Sequence, residues 1–87
     1  MKKRTHIEVV IPNSPLKRGD RCLGVVYLQV ALQAVDKSKP DVIKENGVFG
    51  PDTELKLRKF QDKNRIHVDG RYTDLTRRVL REVLQCK

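Results

Sequence analysis

The side chains most often used in catalysis are few in this 87-residue chain, and their spacing matches no known catalytic arrangement. The two histidines, His6 and His67, have no serine or cysteine nucleophile with a carboxylate partner at a recognisable spacing. Cys22 and Cys86 form neither a Cys-x-x-Cys pair nor a cluster with histidine, so we expect free thiols and predict no metal site and no cofactor. The sequence therefore favours a binding module over an enzyme.

Charge is the property of the chain that most restricts its partners. Lys and Arg number 19 against 11 Asp and Glu, which gives a net charge of +8. Such a balance suits nucleic acid, a membrane surface or an acidic cell-wall polymer, although it also keeps a small domain soluble. The apolar run at 7–11 is broken by Glu8 and is too short for a signal peptide or a membrane span. We therefore expect synthesis in the cytoplasm without a signal peptide, and no membrane partner.

One eight-residue phrase occurs twice, at 46–53 and at 69–76. Each copy contains an Asx-Gly pair, an aromatic residue two positions after the glycine, and a threonine at its end. An Asx-Gly pair predicts a turn because glycine adopts positive φ without steric cost, so we predict positive φ at Gly47 and Gly70. Gly50 and Thr73 then cap helices. The predicted structural-motif residues are Gly47, Phe49, Gly50, Thr53, Phe60, Gly70 and Thr76.

The elements that must position these residues are three short helices. Apolar residues recur at helical spacing over 23–35, 51–63 and 73–85. On the second helix Phe60 lies on the apolar stripe and Lys56 lies off it. A turn-plus-helix unit of about 23 residues cannot bury its own apolar face, so the units must stack. We predict an all-α, compact three-helix bundle at 16–87, preceded by a short extended arm at 1–15 that packs on its own domain.

Five short motifs follow one another in a fixed order. They are Leu-x-x-Gly at 16–19, Val-x-x-Leu-Gln at 25–29, the two turns, and Phe-Gln at 60–61 between the turns. In this order they resemble the peptidoglycan-binding domain found at one end of many cell-wall hydrolases and phage endolysins, and the resemblance covers 16–84. The chain departs from that pattern at Cys22, where the family usually has glycine, at Lys56, where it has alanine, and at Arg77, where many members have tryptophan.

The resemblance implies a non-catalytic module that binds peptidoglycan at the bacterial cell wall and targets an attached or associated lytic or wall-remodelling activity to it. A monomer is expected. The binding surface is predicted at a rim formed by the second turn and the start of the first helix, where guanidinium groups can hold stem-peptide carboxylates and a polar-tipped aromatic can approach the sugars. The predicted ligand-binding residues are Arg18, Arg21, Asp69, Arg71 and Tyr72. Because Tyr72 occupies the position of Phe49 in the repeat, its ring is expected to pack in the core, with its hydroxyl at the rim. Gln29 and Gln61 could cap loop backbone groups or contact an N-acetyl group, and capping is favoured.

Two other functions remain open at this point. A small basic helical module could bind nucleic acid, and three arginines on one face of the third helix, Arg77, Arg78 and Arg81, support that alternative. The same fold could also serve as a protein-interaction module that has lost wall binding. The turn and helix motifs favour a peptidoglycan-binding module, because that function accounts for the core, the turns and the helix caps together. A nucleic-acid-binding function accounts only for the positive charge.

Overall fold

Three α-helices form the fold in the computed structural model, which describes residues 10–13, 15–35 and 43–85. They are α1 (Leu23–Val35), α2 (Pro51–Lys63) and α3 (Asp74–Gln85). The predicted bounds of α1 and α2 are confirmed, and α3 begins one residue later than predicted because Thr73 stays outside the helix. The described residues contain isolated β-bridges but no strand, so the prediction of an all-α three-helix bundle is confirmed.

The start of α2 shows how local sequence sets a helix boundary. Gly50 is the N-cap, with an extended backbone at φ −102° and ψ −171°, and Pro51 occupies the first helical position, where its missing N–H costs nothing. Asp52 and Glu54 place negative charge in the first turn, where the helix dipole favours it. At the other end the Phe60 carbonyl accepts two hydrogen bonds from Asn64, one from the side chain at 2.9 Å and one from the backbone amide at 3.1 Å.

The core lies where α1 contacts both other helices. Phe49 and Phe60 are buried, as predicted, and Leu55 on the outer side of α2 is exposed. Burial of such large apolar side chains supplies the main favourable free energy of folding. The buried residues of the apolar core cluster are Leu16, Val25, Leu28, Ala31, Leu32, Phe49, Leu57, Phe60, Tyr72 and Leu80.

The prediction for Lys56 is wrong, because this side chain is only 3% exposed. Periodicity placed it off the apolar stripe of α2, although the resembling family usually has alanine against the core at this position. In the structure the C-terminal parts of α1 and α3, including Leu32 and Leu84, share a cavity wall with Lys56 and cover that side of α2. The aliphatic stem of a lysine tolerates such packing.

A segment before α1, residues 16–22, ties the two repeated turns together, and we call it the strap. Leu16 exchanges both backbone hydrogen bonds with Tyr72, at 3.0 and 2.8 Å. Further along, the Gly19 amide donates to the Phe49 carbonyl at 3.0 Å, and the Cys22 amide donates to the Gly47 carbonyl at 3.1 Å. The strap therefore fixes the first turn and the second turn relative to each other.

Only part of the predicted arm at 1–15 falls within the described residues. Pro12 is buried and Ile11 packs against the core cluster. Residues 1–9, which make up most of the predicted extended arm, lie outside the described part of the chain. The boundary between residues 15 and 16 stays a prediction.

Candidate functional site

Gln61 of α2 holds the second turn through an almost completely buried amide. Its Nε2 donates to Asp69 Oδ1 and to the Arg71 carbonyl, both at 3.0 Å, and to Thr76 Oγ1 at 3.1 Å. Its Oε1 accepts from the backbone amide of Gly70 at 3.0 Å and from that of Asp69 at 3.2 Å. The prediction that this glutamine caps loop backbone groups is confirmed.

Gln29 of α1 holds the first turn in the same way. Its Nε2 donates to the Val48 carbonyl at 3.0 Å and to Thr53 Oγ1 at 2.9 Å, and its Oε1 accepts from the Gly47 amide at 3.0 Å. Asn46 Oδ1 lies 3.4 Å from the same Nε2 and accepts from the Val48 amide. The two turns are thus built on one hydrogen-bond scheme, with each glutamine supplied by the preceding helix.

The glycines of both turns adopt the predicted conformation. Gly47 has φ 80° and Gly70 has φ 72°, a region that side chains with a Cβ rarely enter. Space is also short, since a Cβ at Gly70 would lie 2.9 Å from Arg58 Nε and 3.0 Å from Glu54 Cγ. The positive φ is the main reason that the second turn requires glycine, since the crowding atoms belong to side chains that can move.

Asp69 was predicted to contact ligand, but its carboxylate already serves the turn. It accepts from the Arg71 amide at 2.9 Å as well as from Gln61. Burial raises the pKa of Asp69, but these two hydrogen bonds and the charge of His67 outweigh it and hold the pKa below its ordinary value of 3.8. This arrangement gives Asp69 a positioning role in the turn.

The core packing expected for the ring of Tyr72 is confirmed, but the predicted position of its hydroxyl at the rim is wrong. Its side chain is 0% exposed, and its hydroxyl donates to the carbonyl of Pro12 at 2.8 Å. Burial raises the pKa of Tyr72 to about 12, against the opposing effect of the positive charges of Arg77 and Arg81. Because the arm supplies the partner for the hydroxyl, the phenol needs neither water nor a ligand, and its ring is not accessible to a sugar.

The three arginines of the predicted site are exposed and lie on or beside the strap, and we call them the arginine rim: Arg18, Arg21 and Arg71. Arg71 immediately precedes Tyr72 in the second turn, whereas Arg21 pairs through its backbone with Val48 of the first turn. Besides the second turn and the start of α1, where the rim was predicted, the rim therefore also lies beside the first turn.

Two further charged residues join this surface and were missed by the sequence analysis. Arg18 Nη1 lies 3.3 Å from Glu54 Oε1, and Arg58 Nη2 lies 3.9 Å from the other carboxylate oxygen. The spacing of Glu54 and Arg58, four residues apart on a helix, could have signalled their pairing. The contact from Arg18 spans 36 positions and had no sequence signal.

A cavity of about 410 Å³ opens between the C-terminal parts of the three helices. Its walls are mostly apolar, and none of its lining residues belongs to the strap or to either turn. The residues that line it are Leu32, Ala34, Val35, Lys56, Lys59, Phe60, Lys63, Asn64, Val83 and Leu84.

The described residues offer few other reactive groups. Cys22 is a free, exposed thiol, whereas Cys86 and His6 lie outside the described part of the chain. His67 is exposed in the loop before the second turn. Among residues 10–13, 15–35 and 43–85, no three His, Cys, Asp or Glu side chains converge as a metal site would require. None of the three helices has the length and hydropathy needed to cross a bilayer.

Comparison with known proteins places this architecture in a family. Residues 23–80, more than half of the chain, match the family described as "Putative peptidoglycan binding domain". The chain therefore belongs to this family of peptidoglycan-binding domains, and the resemblance inferred from the motifs is confirmed. The family is one of binding modules rather than of enzymes.

A solved structure shares the fold over most of its length. The crystal structure of the SleB N-terminal domain is 31% identical in sequence and superposes with a TM-score of 0.75. The match covers 86% of this chain and 99% of that domain. No match was found among curated protein sequences.

Proposed function

We propose that this chain is a non-catalytic module that binds peptidoglycan at the bacterial cell wall and holds an attached or associated lytic or wall-remodelling activity on its substrate. The observation that carries the proposal is the match of residues 23–80 to the peptidoglycan-binding family. Weak binding at one site suffices for this role, because attachment makes the second encounter with the wall intramolecular. A phage endolysin or a bacterial hydrolase would use such a module in the same way, and the module acts as a monomer.

The proposed contact surface is the arginine rim. Peptidoglycan carries carboxylates on its stem peptides, and a guanidinium group binds a carboxylate through two parallel hydrogen bonds. Arg18, Arg21 and Arg71 are exposed and the buried core does not need their charge. Asp69 and Tyr72 position this surface without being exposed on it. Asp69 accepts a hydrogen bond from the backbone amide of Arg71, and Tyr72 pairs the backbone of the second turn with the strap.

Sedimentation with purified, nucleic-acid-free sacculi tests the function. The protein is expected in the pellet, and retention is expected to survive moderate salt. If the protein stays in the supernatant and instead binds DNA tightly in a salt-sensitive manner, the nucleic-acid alternative is correct. If neither polymer retains it, the protein-interaction alternative takes precedence.

Paired substitutions test the site. Changing both Arg21 and Arg71 to alanine is expected to lower sacculus retention severalfold while the free energy of unfolding changes by no more than about 0.5 kcal/mol, as at ordinary surface positions. The matched control changes Arg78 and Arg81, two exposed arginines of α3, which removes the same charge elsewhere. Equal losses in the two variants would point to nonspecific charge, and a loss confined to the control would move the site to α3.

A further inference from the structure

We propose that Asn46 and Gly47 form a site of spontaneous covalent modification: the Asn46 side chain deamidates once the first turn opens, and Gln29 protects it while the turn is closed. The sequence supplies the reactive pair, an asparagine followed by glycine. The hydrogen bonds of the first turn hold both reacting groups, and the second turn already contains the acidic side chain that the reaction produces. The site does not involve the arginine rim, so it is independent of the proposed function.

The reaction joins the backbone nitrogen of Gly47 to Cγ of Asn46. The proton of the Gly47 N–H is removed, the N–Cγ bond forms and the Cγ–Nδ2 bond breaks, so that ammonia leaves and a succinimide ring remains. Water then opens the ring, and cleavage of the N–Cγ bond gives aspartate, whereas cleavage at the main-chain carbonyl gives isoaspartate. Both steps are substitutions that need no oxidant or reductant. Glycine favours the first step because it has no side chain to hinder its nitrogen.

In the closed turn both reacting groups are held in place. Gly47 is buried, and its amide donates to Gln29 Oε1 at 3.0 Å, although attack on Asn46 requires the loss of this proton. Asn46 is exposed, but its Oδ1 accepts from the Val48 amide at 3.0 Å and lies 3.4 Å from Gln29 Nε2. The buried hydrogen bond to Gln29 therefore keeps base from the nitrogen until the turn opens.

The surroundings of Gly47 also restrict the movement that ring formation needs. A Cβ at Gly47 would lie 3.1 Å from Val26 Cγ2 and 3.3 Å from the carbonyl oxygen of Cys22. The Gly47 carbonyl accepts from the Cys22 amide at 3.1 Å. Because α1 and the strap enclose this residue, a shift of its nitrogen toward Asn46 Cγ disturbs contacts with both.

The second turn shows that an aspartyl product fits. Asp69 stands where Asn46 stands in the first turn, and its Oδ1 accepts from the Arg71 amide at 2.9 Å and from Gln61 Nε2 at 3.0 Å. The corresponding contacts of Asn46 also use Oδ1, which a carboxylate retains. Conversion of Asn46 to aspartate is therefore expected to leave the first turn intact.

The isoaspartyl product does not fit the turn. It directs the main chain through Cβ and Cγ of residue 46, which inserts a methylene before Gly47. The Gly47 amide then no longer meets Gln29, and the Gly47 carbonyl no longer meets the Cys22 amide, in the geometry of the closed turn. A chain that has formed isoaspartate is therefore expected to be less stable than the parent.

Mass spectrometry of the peptide that contains Asn46 measures the reaction, as the fraction converted from amide to acid over time at mildly alkaline pH. The native parent protein is expected to react at least about tenfold more slowly than the parent unfolded in urea, because only the open turn reacts. Asn46→Asp is expected to unfold at the same urea concentration as the parent. The isoaspartyl fraction, separated from aged protein by chromatography, is expected to unfold at a lower one.

Gln29→Met tests the protecting residue, since methionine fills a similar volume but offers only a weak acceptor. The matched control is Gln61→Met, which removes the corresponding buried glutamine of the second turn and leaves the Gly47 amide bonded. Gln29→Met is expected to react at Asn46 about tenfold faster than the control. Urea unfolding gives the unfolded fraction of each variant, and the rate due to that fraction is subtracted. A variant that lacks helices by circular dichroism is refolded with an excluded osmolyte before the comparison.

Each of the other outcomes would overturn the proposal. If the native parent reacts as fast as the unfolded chain, the fold does not protect Asn46. If both methionine variants react equally fast after the correction, or neither reacts faster than the parent, Gln29 is not the protecting residue. If Asn46→Asp unfolds clearly more easily than the parent, the second turn does not represent the product. Sacculus binding by freshly made protein tests the proposed function separately, because that protein still contains Asn46.

Discussion

At the scale of single residues, a buried glutamine amide determines the shape of each repeated turn. Gln61 makes five hydrogen bonds that join its helix to both the backbone and the side chains of the second turn. An amide suits this task because it donates and accepts at once, so one side chain satisfies backbone N–H and C=O groups together. Gln29 repeats the arrangement at the first turn.

Gln61→Ala is expected to destabilise the protein by about 2 to 4 kcal/mol, because the substitution leaves buried turn groups without partners as well as removing the bonds themselves. Chemical unfolding in urea measures the change. Gln85→Ala, at an exposed position of α3, is the matched control and is expected to cost no more than about 0.5 kcal/mol. Equal stabilities for the two variants would mean that water replaces Gln61 without loss.

Tyr72 links stability to alkaline pH. Its folded-state pKa is about 12 against an ordinary value of 10.0, so the native state holds the proton more tightly than the unfolded chain does. The resulting stabilisation is fully present below the pKa of the tyrosine in the unfolded chain and is lost as the pH rises through its pKa in the folded protein. Over this range the free energy of unfolding falls by at most about 1.4 kcal/mol per pH unit.

Tyr72→Phe is expected to abolish this alkaline dependence and to cost about 1 kcal/mol at neutral pH, since the hydrogen bond to the Pro12 carbonyl is lost. Urea unfolding of both proteins across the alkaline range measures it. If the free energy of unfolding of the parent protein and that of the variant fall in parallel as the pH rises, other groups, such as lysines, account for the alkaline loss of stability.

At the scale of elements, the structure depends on two turns that glycine alone fits well. Gly70→Val is expected to destabilise by about 2 kcal/mol or more, because a β-branched residue is strained at φ 72° and its Cβ would crowd Arg58 and Glu54. Gly19→Val is the comparison, since Gly19 has φ 99° but no atom within 4 Å of an added Cβ. Thermal unfolding should place Gly19→Val between the parent and Gly70→Val; the reverse order would rule out crowding as a cause.

The sequence predicts these elements well because their signals are local. Gly50 and Pro51 mark the start of α2, and an Asx-Gly pair marks the position of each turn. Lys56 was misplaced because its burial depends on where α1 and α3 end, which the period of α2 does not contain. The spacing of apolar residues identifies the face of a helix that packs against one neighbour. It does not identify an adjacent face that a second neighbouring helix covers.

At the scale of the whole molecule, the features that sequence could not supply are contacts between distant parts of the chain. The Tyr72 hydroxyl meets the Pro12 carbonyl 60 positions away, and Arg18 meets Glu54 36 positions away. The three predicted arginines are exposed and lie on or beside the strap, because all three flank recognisable turns. Their positions along the strap follow from the backbone pairing of Leu16 with Tyr72 and of Arg21 with Val48, which the sequence does not reveal.

The hydrogen bond between the Tyr72 hydroxyl and the Pro12 carbonyl bears on where the folding unit begins. Pro12 is buried and Ile11 packs on the core, so a chain that begins at Val10 retains both contacts, whereas one that begins at Leu16 loses them. The shorter chain is expected to be less stable by about 1 to 3 kcal/mol, from one lost hydrogen bond and the exposed apolar surface. Urea unfolding of the two truncated chains measures the difference.

Combining this truncation with Tyr72→Phe isolates the cause. In the chain that begins at Val10 the substitution is expected to cost about 1 kcal/mol, but in the chain that begins at Leu16 the hydroxyl has already lost its acceptor, so the same substitution is expected to be nearly neutral. The coupling between the two changes then equals the contribution of the hydrogen bond to Pro12. Additive effects would show that the arm stabilises the bundle through packing alone, and equal stability of the two truncated chains would place the start of the folding unit at Leu16.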